Sequence, residues 1–514
     1  MHVLSVVLSL VFLPLVAALK YFYIYDWPEK LDDVWPPAGA ELHKQSGYDH
    51  DFRPNLGMGR ILDSDNGLFQ TWQFAQYRAI MNRLRLSELR TRDPAKASAF
   101  VVPYDIGVNS YIDCNNGRPR LAAPHGRIAF SLLADECKGR NHNRFWKNSG
   151  HDHFLINSIT YGQMVGIAAK EMYMKVCQNC TVISIETSPT GLGLAGRTRK
   201  RWFAAPYPSS FHWHEGIKYL PWAVAGPDDD RSAPDFHLRF PKRDIFVLFI
   251  GSVKASQAGS RALRQALHGQ CKAANKRADG ICAWHETAHS CNGVVNATNA
   301  MLLFRRAVFC PAPAGDSITR KSIFDALVAG CIPVIFSRAT LSLYSWHVPV
   351  EDLERVSVFM PMEGLVDAPP TDVLQVLRAI PAETVAAMQR RIAELAPSLQ
   401  YSAVPPRLAQ IGLDAAAPWR PPFRDAADVI IERMLDSATV EPLVGYSDEE
   451  LMEQHDTATD ILNTHEDYMA LRGKPSPRQS LAGGPKPASR KRAQLAEQGK
   501  LPKSLTSLSR MCDA

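Results

Sequence analysis

Cysteine is scarce in this sequence, with ten residues in a chain of 514. Small disulfide-held domains need a far higher density, so a disulfide scaffold is excluded. Charged residues make up 21% of the chain and apolar residues 46%, which is the balance of an ordinary globular protein. That balance excludes a wholly disordered chain, a collagen-like repeat and a protein with many membrane spans. The patterns GxxxxGK[ST] and GxSxG are also absent, so P-loop and hydrolase signals are missing.

The excess of positive charge is confined to one end of the chain. The formal net charge is +6, but residues 472–510 contain ten Lys or Arg and one acid, Glu497. That tail alone carries +9, which leaves −3 for the rest of the chain. A mildly acidic body disfavours a nucleic-acid-binding fold. The stretch from Gly473 onward is rich in Pro, Gly, Ser and basic residues, so we predict that it is disordered. Its other interpretation is a basic tail that touches an anionic membrane or polymer.

Residues 3–19 form an uncharged apolar segment at the N-terminus. Seventeen residues suit the core of a signal peptide and are marginal for a membrane span. Cleavage and retention as a short signal anchor both stay open, and a buried N-terminal strand or helix is the structural alternative. Sequons at Asn179 and Asn296 agree with entry into the secretory pathway.

Short apolar runs alternate with helical patterns along the body of the chain. The predicted strands are Tyr21–Tyr25, Ala99–Tyr104, Val182–Ile185, Ile245–Ile250, Ala307–Cys310 and Ile332–Phe336. The predicted helices are Trp72–Leu89, Gly259–His268, Ile318–Ala329, Asp372–Ile380, Ala382–Leu395 and Ala426–Leu435. Because the strand runs are apolar throughout rather than alternating, they indicate an α/β fold with parallel sheets covered on both faces.

A polar, proline-containing segment at residues 225–242 divides this series into two doubly wound domains. We therefore predict an N-terminal domain at 20–235 and a C-terminal domain at 236–440. Residues 1–19 form the signal segment, and residues 441–514 form a helical extension with the basic tail. Doubly wound sheets bind ligands beyond the carboxyl ends of their strands, so two facing domains create a cleft.

The segment richest in candidate functional residues is PAGDSITRKSIFDALVAGCIPVI, residues 313–335. Gly315 allows close backbone approach, and the N–H groups of the following helix favour an anion. Arg320 and Lys321 add positive charge, so this is a candidate pyrophosphate site. The alternative is an ordinary capped helix, with Asp316, Ser317 or Thr319 as the cap and Asp325 in solvent.

Three weaker patterns receive structural interpretations. In KNSGHDHF (147–154), adjacent His151, Asp152 and His153 cannot present ligands from one face, so no metal site is predicted. Asp228–Asp230 contains a DxD pattern but lies in the linker, so we interpret it as a solvated turn. The cysteines, among them Cys177, Cys180, Cys271, Cys282 and Cys291, favour disulfides over zinc.

The ordered blocks of the chain, from Tyr21 to about Pro361, resemble the exostosin-like glycosyltransferases. Within that family they resemble most the branch that contains plant xyloglucan galactosyltransferases. The blocks are YIYDWP (23–28), RTRDPAKASAFVVPYD (90–105), RFWKNSGHDHF (144–154), IETSPT (185–190), AAPYPSSFHW (204–213), FIGSV (249–253), GSRALRQAL (259–267), FCPAPAGDSITRKSIFDALVAGCIPVIF (309–336), YSWHVP (344–349) and SVFMP (357–361).

The resemblance implies a GT-B fold of two Rossmann-like domains that face each other across a cleft. It implies inverting transfer of galactose or a related hexose or pentose from a UDP-sugar to a polysaccharide or glycan. It further implies the Golgi lumen, no essential metal, no cofactor beyond the donor substrate, and other Golgi glycosyltransferases as partners. The donor-site residues that it implies are Gly315, Asp316, Ser317, Thr319, Arg320 and Asp325, with Arg261 as a second candidate for the diphosphate. A non-catalytic glycan-binding or complex-forming subunit is the alternative.

An inverting transferase needs a base that takes the proton of the acceptor hydroxyl. With the diphosphate on the C-terminal domain, this base is expected at a strand end of the N-terminal domain. Asp152 precedes a predicted strand and Glu186 follows another. The carboxyl edge of the sheet favours Glu186. Asp152 lies between two histidines that could relay a proton. A structural role as a cap or ion-pair partner is the alternative for each.

Overall fold

The structure, a computed structural model, describes residues 20–26, 54–105, 150–159, 180–187, 201–253, 255, 258–276, 282–285, 297–315, 317–366 and 370–436. Several predicted features lie outside these ranges: residues 1–19, residues 441–514, the sequons at Asn179 and Asn296, and Asp316.

Two parallel five-stranded sheets form the framework, and the parallel pairing agrees with the sequence prediction. The first contains β1 (Tyr21–Ile24), β4 (Ala97–Val102), β5 (His153–Asn157), β6 (Thr181–Ser184) and β7 (Trp202–Ala204). The second contains β8 (Ile245–Ile250), β9 (Cys282–His285), β10 (Ala307–Ala312), β11 (Ile332–Ile335) and β12 (Val358–Phe359). A short antiparallel hairpin joins β2 (Ile61–Asp63) to β3 (Leu68–Phe69). Every residue of β5, β6, β7 and β11 is buried, which explains why their sequences are apolar or lack alternation.

The two sheets differ in strand order. The second runs β12-β11-β10-β8-β9, so the strand order reverses at β8, with β9 on one side of it and β10 on the other. Such a reversal opens a crevice at the carboxyl ends of the two strands, here Ile250 and Ala312. The first sheet runs β1-β4-β5-β6-β7, which is chain order. Among the described strands, a doubly wound order therefore occurs in the second sheet alone. The prediction of a doubly wound order in both sheets fails for the first sheet, because apolar runs indicate parallel pairing but not which strands are neighbours.

The longer helices cover these sheets close to their predicted positions. In chain order the helices are α1 (Gln76–Arg85), α2 (Phe236–Arg239), α3 (Ala258–Lys276), α4 (Ala297–Arg306), α5 (Lys321–Val328), α6 (Ala339–Ser342), α7 (Leu353–Val356), α8 (Glu363–Val366), α9 (Val373–Arg378), α10 (Ala382–Leu395), α11 (Pro406–Ile411) and α12 (Ala426–Leu435). In this described part of the chain, no helix combines the length and the apolar character needed to cross a bilayer.

Helix α12 returns to the first sheet. Its residues Ile430 and Met434 share a buried core with Phe22 of β1 and Ile80 of α1. The predicted C-terminal domain, residues 236–440, therefore does not keep all its helices on the second sheet. Because the pattern of α12 shows that one face is apolar but not which surface it covers, sequence alone could not reveal this return.

Within the described residues, two disulfides brace the second sheet, in agreement with the preference for disulfides over zinc. Cys271 of α3 pairs with Cys282 of β9. Cys310 of β10 pairs with Cys331, the residue before β11, so this bond spans the base of the candidate pyrophosphate loop and α5. Cys177 and Cys291 lie outside the described residues.

Candidate active site

The candidate pyrophosphate loop lies at the carboxyl end of β10, beside the crevice where the second sheet reverses. The Gly315 N–H donates to the Ser317 carbonyl at 2.9 Å. A Cβ atom on Gly315 would stand 2.0 Å from Nη2 of Arg320. A larger residue at position 315 would therefore displace the Arg320 guanidinium from this place beside the loop.

Glu186 brings the first sheet into contact with this loop. It follows β6 by two residues, at the carboxyl edge of that sheet, and it is 6% exposed. Its Oε2 atom accepts hydrogen bonds from Ser317 Oγ at 2.7 Å and from Thr319 Oγ1 at 2.9 Å. The Tyr207 hydroxyl donates to the same oxygen at 3.1 Å. Two predicted donor residues and one predicted base are thus assembled in a single hydrogen-bonded cluster.

The environment of Glu186 shifts its protonation toward neutral pH. Burial raises the pKa of Glu186 to about 7, because removal from water penalises the charged form. The hydroxyl hydrogen bonds and the positive charge of Arg320 act in the opposite direction and limit that rise. A carboxyl group with a pKa near 7 can exchange a proton readily at physiological pH.

Two tyrosines complete the cluster, and sequence reasoning assigned neither to the site. Burial raises the pKa values of Tyr207 and Tyr344 well above the usual range, so both stay neutral hydroxyls. The Tyr344 hydroxyl donates to the Ile185 carbonyl at 2.7 Å and lies 3.0 Å from Thr319 Oγ1. Tyr207 lies in the block AAPYPSSFHW and Tyr344 in the block YSWHVP. These two blocks were the sequence signal that could have identified both tyrosines as site residues.

Asp325 has a different environment from the rest of the predicted donor set. Its Oδ1 accepts from the Ser210 N–H at 2.7 Å, and the Lys321 ammonium lies 2.9 Å from its Oδ2. Lys321 also donates to Ser210 Oγ at 2.6 Å. Asp325 and Lys321 therefore fix the segment after β7 against α5, and their side chains form an ion pair with each other.

The arginines of α3 separate into an exposed and a buried one. Arg261, the predicted second diphosphate ligand, is exposed, and its Nε donates to the Ala255 carbonyl at 2.9 Å. Arg264, three residues later, is 5% exposed and faces the loops of the crevice. Sequence reasoning did not select Arg264, because helical spacing does not tell which of two nearby arginines faces inward.

Asp152 lies at the opposite edge of the first sheet from Glu186. It precedes β5, whereas Glu186 follows β6, and Asn157 pairs in register with Ser184. Seven residues at the rise of a strand place the two carboxylates about 20 Å apart. Asp152 Oδ1 lies 2.7 Å from His153 Nδ1, and His153 Nε2 lies 2.7 Å from the Tyr25 hydroxyl. Despite Asp152, burial lowers the pKa of His153.

The DxD pattern is the solvated turn that the sequence indicates. Asp229 Oδ2 accepts from the Gly226 N–H at 2.7 Å, and Asp230 Oδ1 accepts from the Ser232 N–H at 2.8 Å. Within the described ranges, no three His, Cys, Asp or Glu side chains are grouped closely enough to hold a metal ion.

The parallel sheets are consistent with a Rossmann-like glycosyltransferase. A family model described as the exostosin GT47 domain matches residues 19–377. The chain therefore belongs to the exostosin GT47 family, and it is a glycosyltransferase.

Curated relatives from Arabidopsis thaliana share about a quarter of the sequence. "Probable xyloglucan galactosyltransferase GT15" is 28% identical over 362 residues, 68% of this chain and 68% of the relative. "Xyloglucan galactosyltransferase MUR3" is 26% identical over 437 residues, 82% of this chain and 62% of the relative. "Xyloglucan-specific galacturonosyltransferase 1" is 26% identical over 354 residues, 67% of this chain and 48% of the relative. The chain thus covers less than two thirds of the last two proteins.

Proposed function

We propose that this protein is an inverting glycosyltransferase that moves galactose, or a related hexose or pentose, from a UDP-sugar to a polysaccharide acceptor. The two relatives named as xyloglucan galactosyltransferases support a polysaccharide acceptor and a galactose-type donor. We also propose a GT-B arrangement of two domains, in which residues 20–235 bind the acceptor and residues 236–440 bind the nucleotide sugar.

One observation carries the proposal: Glu186 meets Ser317 and Thr319 where the carboxyl edges of the two sheets come together. A base on one sheet and an anion-binding loop on the other are the two halves that a single displacement needs. The three hydrogen bonds from Ser317, Thr319 and Tyr207 all end on Oε2 of Glu186. They fix the carboxyl group in one orientation, which lets Oε1 serve the acceptor.

The proposed step is a direct displacement at the anomeric carbon. The acceptor hydroxyl oxygen forms a bond to C1 of the sugar while the bond from C1 to the β-phosphate oxygen breaks. UDP leaves with the electron pair, and Glu186 receives the proton of the hydroxyl. Arg320 offsets the charge that grows on the leaving diphosphate, since a guanidinium stays charged and contacts phosphate through two N–H groups.

The full chain should be incubated with UDP-galactose, UDP-xylose or UDP-galacturonic acid and a set of xyloglucan oligosaccharides. We expect acceptor-dependent UDP release and a glycoside of inverted anomeric configuration, measured by NMR. Added EDTA should leave the rate unchanged, because we propose no essential metal. UDP binding without transfer to any acceptor would instead support the non-catalytic, glycan-binding alternative.

Arg320→Ala is expected to weaken UDP binding and transfer together, by roughly 2–4 kcal/mol in transition-state stabilisation. Calorimetry with UDP and steady-state rates measure the two effects. Arg306→Ala is the matched control, because Arg306 is an exposed arginine at the opposite, amino-terminal edge of the second sheet and pairs with Asp244. If the folded Arg320 variant bound UDP as wild type does, Arg320 would not be a diphosphate ligand.

We also propose that the protein enters the secretory pathway and acts in the Golgi lumen. The disulfides Cys271–Cys282 and Cys310–Cys331 fit an oxidising compartment. Expressed in eukaryotic cells, the protein should lose mass on glycosidase treatment, and Asn179→Gln with Asn296→Gln should abolish that loss. A product with free thiols at all four of these cysteines and no glycan would contradict this localisation.

A further inference from the structure

Tyr401 connects the C-terminal part of the chain to the segment after β7, residues 205–213. It is fully buried, in the core that α12 forms with the first sheet. Its hydroxyl donates to the Pro206 carbonyl at 2.9 Å, and its carbonyl accepts from Nδ1 of His212 at 2.6 Å. Burial lowers the pKa of His212 to about 3, so this imidazole stays neutral. One residue thus holds the segment on both sides of Tyr207.

The start of α12 fixes Tyr401 in turn. The Ser402 N–H donates to Oδ2 of Asp425 at 3.0 Å, and the Ala426 N–H donates to the Gln400 carbonyl at 2.9 Å. Both neighbours of Tyr401 are therefore bonded to the cap of this helix. All five residues lie beyond residue 377, where the match to the family model ends.

Tyr207 receives this support through the residue before it. Gln76 of α1 donates to the Pro206 carbonyl at 3.2 Å, so the oxygen that Tyr401 holds is also held from the first sheet. The Tyr207 hydroxyl donates to Oε2 of Glu186 at 3.1 Å, the longest of the three hydrogen bonds on that oxygen. Because this distance is at the long end for an O–H···O bond, a further shift of about 0.5 Å would break it.

We propose that Tyr401 is a positioning residue for Glu186. It holds the segment after β7 so that the Tyr207 hydroxyl stays on Oε2 and Oε1 is left for the acceptor. This inference rests on the proposed function, because it assigns a support for the base of that reaction. The working unit then extends past the family match and includes residues 400–435, which return to the first sheet.

The proposal predicts the direction in which Glu186 should respond. A hydrogen bond to a carboxylate favours the charged form, so a weaker bond from Tyr207 raises the pKa of Glu186 above its value of about 7. The other groups that face this carboxyl group are Ser317, Thr319, Arg320 and Tyr344. A substitution at position 401 changes none of their side chains.

Tyr401→Phe tests this, because it keeps the buried ring and removes the hydroxyl alone. We expect the midpoint of its kcat/KM profile to rise by about 0.5 to 1 pH unit. Tyr207→Phe should raise the midpoint by about 1 to 2 pH units, the size of a lost hydrogen bond to a charged group. Tyr77→Phe is the matched control, since Tyr77 is a buried tyrosine of the same core, and its midpoint should equal that of wild type.

The double variant Tyr207→Phe with Tyr401→Phe separates positioning from a structural role. If Tyr401 acts through Tyr207, the double variant should have the midpoint of Tyr207→Phe alone. A midpoint shift equal to the sum of the two single shifts would overturn the proposal. So would a folded Tyr401→Phe protein that loses stability but keeps the wild-type midpoint.

A readout without turnover keeps this proposal distinct from the proposed activity. In protein labelled with ¹³C-glutamate, NMR should show one carboxyl signal that titrates near pH 7 and is missing from Glu186→Gln. We expect this signal to titrate at higher pH in Tyr401→Phe, and an identical titration in both proteins would contradict the positioning role. A shifted signal in a protein whose wild type transfers no sugar would support that role and count against the proposed activity alone.

Discussion

Replacement of Glu186 by Gln is expected to lower the turnover number about 10²–10⁴-fold, the usual size of a general-base contribution. Glutamine has nearly the same shape and can still bond to Ser317, Thr319 and Tyr207, but it cannot take a proton from the acceptor. UDP affinity should be retained or slightly increased, because the substitution removes a negative charge that acts on Arg320. Turnover and UDP binding are measured separately, by rate and by calorimetry.

The protonation state of Glu186 sets the direction in which the rate should change with pH. Burial raises the pKa of Glu186 to about 7, and only the deprotonated carboxylate can act as a base. The rate constant kcat/KM of the wild type should therefore rise as the pH increases through 7 and then level off. In Glu186→Gln, the remaining activity should lack this rise. A profile with the same midpoint in both proteins would mean that another group titrates.

Asp152→Asn is the matched control for Glu186→Gln. Both substitutions turn a carboxylate at a strand end of the first sheet into an amide, but Asp152 lies at the far edge, beside His153. We expect Asp152→Asn to keep turnover within a few-fold of wild type. If Glu186→Gln retained near-normal turnover while it bound UDP-sugar, Glu186 would not be the base. A large loss in Asp152→Asn instead would point to the His153 side of the sheet.

The sequence predicts elements well where the apolar pattern is long and bounded by proline, glycine or a cap. Strand β8 and helices α10 and α12 occupy the residues expected for them. Helix α12 starts at a capping box, in which Asp425 accepts from the Asp428 N–H and Asp428 accepts in return. The order of strands in the first sheet and the docking of α12 depend on contacts between distant segments, so periodicity does not reveal them.

The site was predictable to the extent that parallel sheets place their ligands at carboxyl edges. That rule favoured Glu186 over Asp152 and drew attention to the loop at Gly315. It did not select Arg264 over Arg261, because the direction of a helix side chain depends on what the helix packs against. Nor did it indicate that Asp325 accepts from the Ser210 N–H, since that contact joins segments 115 residues apart.

Arg83→Ala is expected to destabilise the protein by about 3–5 kcal/mol, the cost of removing one partner from a buried ion pair. Arg83 is fully buried on α1, where it bonds to Asp425 at 3.2 Å and to Asp428 at 2.7 Å. It also donates to the Trp419 carbonyl at 2.8 Å. Its loss would leave two neighbouring carboxylates without a buried counter-charge at the point where α12 joins the first sheet.

The destabilisation should depend on pH in a direction set by Asp428. Burial and the charge of Asp425 raise the pKa of Asp428 to about 6, and Arg83 opposes that rise. Without Arg83 the pKa rises further, so protonation at pH 5.5 relieves the repulsion and the loss should be smaller than at pH 7.5. Urea unfolding of wild type, Arg83→Ala and Arg424→Ala measures this. Arg424 forms an exposed pair with Glu432 on the same helix, so its removal should cost less than about 1 kcal/mol at either pH. Equal losses for the two arginine variants would show that the buried network does not hold α12 in place.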